Sequence, residues 1–208
     1  MPKHTFFNLP SEKQQLLVNA AFKEFSRVPL SEALISNIVA SADIPRGSFY
    51  QYFENKEDLF YYIFSTYAKK GEKAFLSTLK RNNGDLIDTF IELFERMVNL
   101  LRNDEKKSYF KNVFMNMNHK MDNAFSPSLI KETHNKTKKD FINFVDIDKL
   151  NIKERSDIRH IMAIIKSVTI HNIMMNFANN ISEEEAISKY KTEMNLLRDG
   201  LYKKDDKL

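Results

Sequence analysis

Four glycines and five prolines in 208 residues leave this chain few places to turn sharply. A fold of many short strands needs turn residues at regular, close intervals. Here apolar residues recur at three-to-four spacing over long stretches, and nothing alternates with a period of two for long enough to propose a sheet. The expected class is therefore all-α. The length suits one or two domains with buried cores. No cysteine is present, which excludes a disulfide framework, thiolate metal sites and a cysteine nucleophile. No uninterrupted run of about 18 apolar residues suggests a membrane span, and the opening Met-Pro-Lys-His-Thr-Phe-Phe lacks the apolar stretch of a signal peptide. These features predict a soluble cytoplasmic protein without a membrane partner.

Helix boundaries are signposted. Ser11 and Gln14 have the spacing of a capping box, and Leu17, Ala20, Ala21 and Phe25 follow on one face until Pro29. A second helix fits Glu32 to Ala42, a third Pro45 to Tyr52 with proline at its first position, and a fourth Lys56 to about Lys80, capped by Asn55. Asn82-Asn83-Gly84 reads as a turn. Longer helices are predicted over roughly 85–102, 105–121, 127–145, 154–179 and 183–203, the last opened by a Ser182–Glu185 capping box.

The net charge of +4 mildly favours a polyanionic partner, but its distribution is uneven. Residues 1–60 hold six Lys/Arg and seven Asp/Glu, a net of −1, so the remainder carries +5. If the N-terminal part binds nucleic acid, a few well-placed cations must do it.

Residues 33–59, ALISNIVASADIPRGSFYQYFENKEDL, read as a helix, a tight turn, a short helix and the start of another. Ile38, Ala42, Ile44, Phe49 and Phe53 supply an apolar interior. Asp43 sits at the turn, where aspartate tolerates a left-handed backbone. The outer side of the short helix carries Arg46, Gly47, Ser48, Tyr50, Gln51 and Tyr52. These are short or planar hydrogen-bonding groups, unlike the Lys/Glu mixture of an ordinary wet face. A helix-turn-helix needs such a second helix to enter the major groove.

Over about residues 11–60 the chain resembles the TetR family of transcriptional repressors. Ala20-Ala21 and Phe25 match its first-helix pattern, and Gly47-Ser48-Phe49-Tyr50-Gln51-Tyr52-Phe53 followed by Lys56-Glu57-Asp58-Leu59 match its recognition-helix pattern. The resemblance implies a three-helix DNA-binding head (residues 1–55), a helical ligand-binding and dimerisation domain (residues 56–208), a homodimer and a pseudo-palindromic operator. Arg46, Gly47, Ser48, Tyr50, Gln51, Tyr52 and Lys56 are then the DNA-contacting candidates, with Lys56 resembling a phosphate-clamping lysine. Two departures stand out: Arg27-Val28-Pro29 replaces a glycine after the first helix, and Asp43 replaces the turn glycine.

A narrower resemblance runs through MPKHTFF, IPRGSFYQYFE and SVTIHN, which look like haem-sensing repressors of efflux systems in Gram-positive bacteria. It implies haem as effector and His171 as an axial iron ligand. The stretch matching the second ligand, Tyr67 to Lys73, contains no histidine, so His134 or His119 would have to substitute, or the effector is another hydrophobic molecule. Phe114, Met117 and Met174 are candidate lining residues with His171 and His134, because methionine adapts to irregular apolar ligands. The five histidines show no His-x-x-x-His spacing, and there is no nucleophile elbow, phosphate-binding glycine loop or dinucleotide fingerprint. No catalytic residues and no certain cofactor are expected. The alternative is a helical haem- or lipid-binding or interaction protein that does not bind DNA.

Ile158, Ile161, Met162, Ile165, Val168, Asn172, Ile173 and Phe177, with Leu196, Leu197 and Leu201, form the stripes expected to close a dimer as a four-helix bundle.

Overall fold

A computed structural model describes residues 1–115, 141–179 and 181–201, with the side chains of residues 115 and 201 excepted. Every long regular element among them is an α-helix: α1 His4–Phe7, α2 Ser11–Arg27, α3 Ile35–Ser41, α4 Arg46–Tyr52, α5 Lys56–Arg81, α6 Leu86–Leu100, α7 Asp104–Met115, α8 Ile158–Asn179 and α9 Glu183–Leu201. The all-α expectation holds. The helices predicted over 105–121 and 127–145 lie partly outside the described residues; within them, residues 141–144 form a short 3₁₀ turn in place of the end of the second.

Of the described residues, 1–70 and 101–115 pack as one unit and 71–100, 141–179 and 181–201 as another. In the first unit α2 packs against α3 and α7, and α1 against α4. Leu17, Phe25, Ile38, Phe49, Phe53, Leu59 and Phe60 make its core, each no more than 1% exposed. Ala21 is fully buried on α2, where a larger side chain would hold neighbouring helices apart. Tyr109 of α7 is also fully buried; its hydroxyl donates to Phe60 O at 3.3 Å, and burial pushes its phenol well above the ordinary value. Asn112 Nδ2 donates to Phe25 O at 2.9 Å, so α7 ties to the end of α2 as well as packing on it.

Local signals are partly corrected. The capping box at Ser11 does not form: the helix starts with Pro10 as its N-cap, and Gln14 Nε2 donates to Leu9 O at 2.9 Å. The second helix begins at Ile35 instead of Glu32, because Pro29 O accepts the N–H groups of both Glu32 and Ala33 in a turn of its own. α2 ends with Val28 in extended conformation, so the chain leaves it without a left-handed residue and the missing glycine is not needed. Asp43 does adopt positive φ, 51°. Ile44 N donates to Val39 O and Asp43 N to Ala40 O, which closes α3 in a Schellman motif with aspartate in glycine's usual place. Asn55 caps α5 as expected, its Oδ1 accepting Asp58 N at 2.9 Å, and Ser182 Oγ accepts Glu185 N at 3.1 Å.

In the second unit α6 packs against α8 and α9. Phe94 stacks on Tyr190 with centroids 4.0 Å apart, and the Tyr190 hydroxyl lies 2.7 Å from Thr169 Oγ1, which itself donates to Ile165 O. Burial pushes the Tyr190 phenol up to about 12. Gly84 has φ 82°, and a Cβ there would lie 2.4 Å from Asp146 N and 2.5 Å from Phe144 O, so glycine is required at this turn.

Arg155–Asn179 is the one stretch among the described residues long and apolar enough to cross a bilayer by length and composition, its most apolar 18-residue window having mean hydropathy 1.3. Its buried side packs within the unit through Ile158, Ile161, Ile165, Ile173 and Phe177, and Asn172 Nδ2 hydrogen-bonds Glu193 of α9. Those contacts cover one side of the helix and leave the other open. They also revise the expected dimer stripe. Ile158, Ile161, Met162, Ile165, Asn172, Ile173 and Phe177 are buried inside the protomer and Val168 is half-buried, whereas the exposed side of α8 carries His160, Ala163, Ile164, Ser167, His171, Met174 and Ala178, and Leu196 of α9 is exposed. At 3.6 residues per turn the apolar content of α8 nearly encircles it, so periodicity alone does not separate the side that packs within the protomer from the open one.

Candidate nucleic-acid interface

α4 has one buried wall and one open face. Phe49 is fully buried in the helix, as is Phe53 at its C-cap; Arg46, Gly47, Tyr50 and Gln51 are exposed, and Ser48 and Tyr52 are half-buried. Tyr50 is 42% exposed, which is high for an aromatic ring with apolar helices available nearby. Arg46 makes no hydrogen bond or ion pair among the described residues. Tyr52 leans the other way, its ring 6.5 Å from Phe6 in an edge contact. A Cβ at Gly47 would meet nothing within 4 Å. The protein itself therefore gives no steric reason for glycine at that point of a helix, where glycine is unfavourable.

The frame that presents α4 is fastened by two charges that bind backbone. Glu24, 6% exposed, takes a bidentate pair from Arg27 (Nε and Nη2, both 2.9 Å), the N–H of Leu34 at 2.9 Å and Asn37 Nδ2 at 3.1 Å. It thereby joins the end of α2 to the start of α3. The Arg27 guanidinium, with the Leu34 and Asn37 donors, holds the Glu24 carboxyl below its ordinary value against the opposing effect of burial. Lys56 Nζ donates to Ser31 O at 2.9 Å and Ala33 O at 2.8 Å. Two of its three donors thus hold the loop before α3 against the start of α5. Sequence reasoning assigned Lys56 to phosphate alone. The structure places it in the frame, with one ammonium hydrogen left over.

Three further residues were not singled out from sequence. Lys3 Nζ donates to Tyr50 O at 2.8 Å, Lys3 N donates to Tyr52 O at 2.8 Å, and Thr5 Oγ1 donates to Gln51 O. Phe6, fully buried, sits with its ring 4.9 Å from Phe53 and 5.3 Å from Tyr62. Only Phe6 had a legible signal, as an apolar residue beside an otherwise polar start. The hydrogen bonds run across some 45 residues of sequence and leave no local pattern.

The ligand candidates fall in both units and outside the described residues. Phe114 is buried in the first unit. His171 and Met174 lie on the exposed side of α8 in the second. Met117, His119 and His134 lie outside the described residues. Among the described residues, no group of three His, Cys, Asp or Glu could hold a metal ion.

Two family models match the sequence: one described as bacterial regulatory proteins, tetR family, over residues 17–63, and one described as tetracyclin repressor-like, C-terminal domain, over residues 85–201. No curated protein matches. Solved structures share the fold. One from Syntrophomonas wolfei, assigned to the TetR family, superposes with a TM-score of 0.67 at 18% identity, covering 90% of this chain and 95% of that one. A TetR-family transcriptional regulator from Streptomyces coelicolor gives 0.64 at 15% identity over 91% and 81%. A transcriptional regulator from Aquifex aeolicus gives 0.59 at 17% over 89% and 99%. At such identities these superpositions speak for the fold alone. The second family model spans more than half of the chain, and with the first it brackets the helix-turn-helix and the helical domain that follows: the chain belongs to the TetR family of bacterial transcriptional regulators.

Proposed function

We propose that the protein is a homodimeric, ligand-responsive repressor acting in the cytoplasm, in which α4 of each protomer enters the major groove of one half of a pseudo-palindromic operator. The observation that carries this reading is the open face of α4: Arg46 without a partner among the described residues, Gly47 with empty space above it, and Tyr50 and Gln51 turned outward from a buried Phe49–Phe53 wall. Arg46 near the helix start reaches a guanine edge or a phosphate, Tyr50 and Ser48 reach phosphate or base, and Gln51 reads a base edge. Lys56 adds at most one phosphate contact beyond its two carbonyl bonds. Residues 1–55 form the DNA-binding head in this reading, and residues 56–208 carry effector binding and dimerisation.

The exposed side of α8 supports the homodimer. Ala163, Ile164, Ser167, Met174 and Ala178 are apolar or small, and a second copy would remove them from water. The regulated genes we assign to an efflux or detoxification system, released by a large hydrophobic effector. Haem is the first candidate through the SVTIHN resemblance. His171, exposed on α8, does not by itself make an enclosed iron site, so His171, Met174, Phe114, Met117 and His134 stand as the ligand candidates to be tested. The deciding experiment is selection of duplex DNA from a random pool by the purified protein, followed by hemin titration of the protein–DNA complex. Enrichment of an inverted repeat is expected. A saturating one-to-one Soret band, lost in His171→Ala and accompanied by DNA release, would establish haem. Weak, unsaturable hemin binding unaffected by His171→Ala would remove it. Failure to enrich any sequence would favour a helical binding protein without DNA function.

A further inference from the structure

A seven-residue helix cannot hold itself in water, and its last four carbonyls have no partners within the helix. In α4 those four are Phe49, Tyr50, Gln51 and Tyr52. Phe49 O accepts from Phe53 N at 2.9 Å, which continues the local chain. The other three are all served from the N-terminal segment: Tyr50 O by Lys3 Nζ, Gln51 O by Thr5 Oγ1, and Tyr52 O by Lys3 N. The Lys3 ammonium also stands at the negative end of the helix dipole, where a cation is favoured. Phe6 anchors the segment from below, fully buried beside Phe53 and Tyr62. The C-terminal half of α4 thus has its backbone fixed by residues that come from elsewhere in the sequence. That half bears Tyr50 and Gln51, whose side chains point outward.

We propose that Lys3 and Thr5 are positioning residues for DNA recognition, which set the orientation of Tyr50 and Gln51 by capping the C-terminal carbonyls of α4. The proposal rests on the reading of α4 as the DNA-contacting helix. It assigns Lys3 and Thr5 no DNA contact of their own. Both are exposed, so without them the freed carbonyls bond to water and the fold survives. What is lost is the fixed end of the helix. Terminal turns fray when their caps go, and the side chains they carry then spend part of the time in orientations that do not match the groove.

The test uses the full chain and an operator selected by the wild type. Thr5→Val keeps the shape of the side chain and removes the donor; Lys3→Met keeps the stem and removes the charge and the Nζ bond. Each is expected to bind the operator about three- to tenfold more weakly, as one hydrogen bond's worth of preorganisation implies. Melting temperature should stay near that of the wild type. Amide exchange at residues 50–53 should quicken, and Thr5→Ser should restore both exchange and affinity. The ratio of operator to random-DNA affinity should fall, and the salt dependence of Thr5→Val should match that of the wild type, since no phosphate contact is removed. Unchanged operator affinity in both variants would overturn the proposal. So would a Lys3→Met variant that lowers the salt slope by one phosphate's worth with unchanged exchange at residues 50–53, because Lys3 would then be a direct contact. A wild type that selects no DNA sequence would instead overturn the reading of α4 on which the proposal rests.

Discussion

α4 and α8 each leave one face uncovered in the protomer, and the two faces differ in kind. That of α4 offers Arg46, Gly47, Tyr50 and Gln51; that of α8 offers His160, Ala163, Ile164, Ser167, His171, Met174 and Ala178. The first is polar, with long hydrogen-bonding groups around a glycine that leaves room for something to approach. The second is mostly apolar and small, with the imidazoles of His160 and His171. A polar face of that sort gains from a polyanion that brings its own water and counterions; an apolar one gains only by becoming dry. In the proposed reading the two faces take two kinds of partner, nucleic acid for α4 and a second copy of the chain for α8. The charge count sets a condition on that reading: at a net of −1, residues 1–60 have no general attraction for DNA, so chosen contacts have to supply it.

The comparison breaks most easily at α8. Ile164→Glu combined with Met174→Glu places two carboxylates per protomer on the face to be dried, at a cost of ~3–5 kcal/mol for an uncompensated buried charge. The dimer should dissociate at least a hundredfold more readily, read by sedimentation across a concentration series, while each protomer keeps its helicity because both positions are exposed. A double variant as dimeric as the wild type would show that α8 faces water.

Next in size is the frame behind α4. Glu24→Gln removes the anion that Arg27, Leu34 N and Asn37 share and should lower stability by about 1.5–3 kcal/mol, as expected for charged hydrogen bonds. Its folded-state carboxyl titrates below the ordinary value, so its contribution is complete above the unfolded carboxylate pKa and disappears as pH falls through the folded one. Denaturation curves of wild type and Glu24→Gln should therefore lie apart at neutral pH and converge in acid. A gap that persists in acid would mean that the carboxylate charge is not what holds α2 to α3.

How far these features could be read from sequence follows from the range of the interactions. α4, its Phe49–Phe53 wall and the outward position of Arg46, Gly47, Tyr50 and Gln51 were legible because helix period, Pro45 and the aromatic spacing act within ten residues. Asp43 was legible as a turn because its left-handed backbone is a local property. The frame was not. Glu24 carried no signal and Lys56 resembled a phosphate contact, since nothing near them in sequence announces a buried carboxylate or a lysine spent on the carbonyls of residues 31 and 33. On α8 the difficulty was the opposite: too many apolar residues around the helix left periodicity unable to say which of them pack inside the protomer. The ligand candidates split between two units and residues outside those described, so their spacing carried no geometry.

The α4 side of the comparison is sharpened by Arg46→Ala and Tyr50→Ala. Each should cost ~1–3 kcal/mol of operator binding. Because both side chains are exposed, stability should change by no more than about 0.5 kcal/mol. Loss of discrimination at one operator position in Arg46→Ala would mark a base contact, and uniform weakening with a smaller salt slope would mark a phosphate contact. Lys56→Ala separates the frame from the face, because losing its bonds to Ser31 O and Ala33 O should lower stability together with affinity.

The smallest effect is also the most diagnostic, because its two parts have opposite signs. Gly47 lies in the first turn of α4, has no positive φ, and a Cβ added there meets no atom within 4 Å. Within the protein alone, alanine is the better residue: Gly47→Ala should raise stability by ~0.5–1 kcal/mol through lower backbone entropy in the unfolded chain. If DNA is pressed against this turn, the added methyl group meets the sugar–phosphate backbone and operator affinity falls even as the protein becomes more stable. Thermal melting and mobility-shift titration of the same preparation measure both. A variant that is more stable and binds the operator as tightly as the wild type would mean that the duplex stays clear of Gly47 and that the reading surface begins further along the helix, at Tyr50.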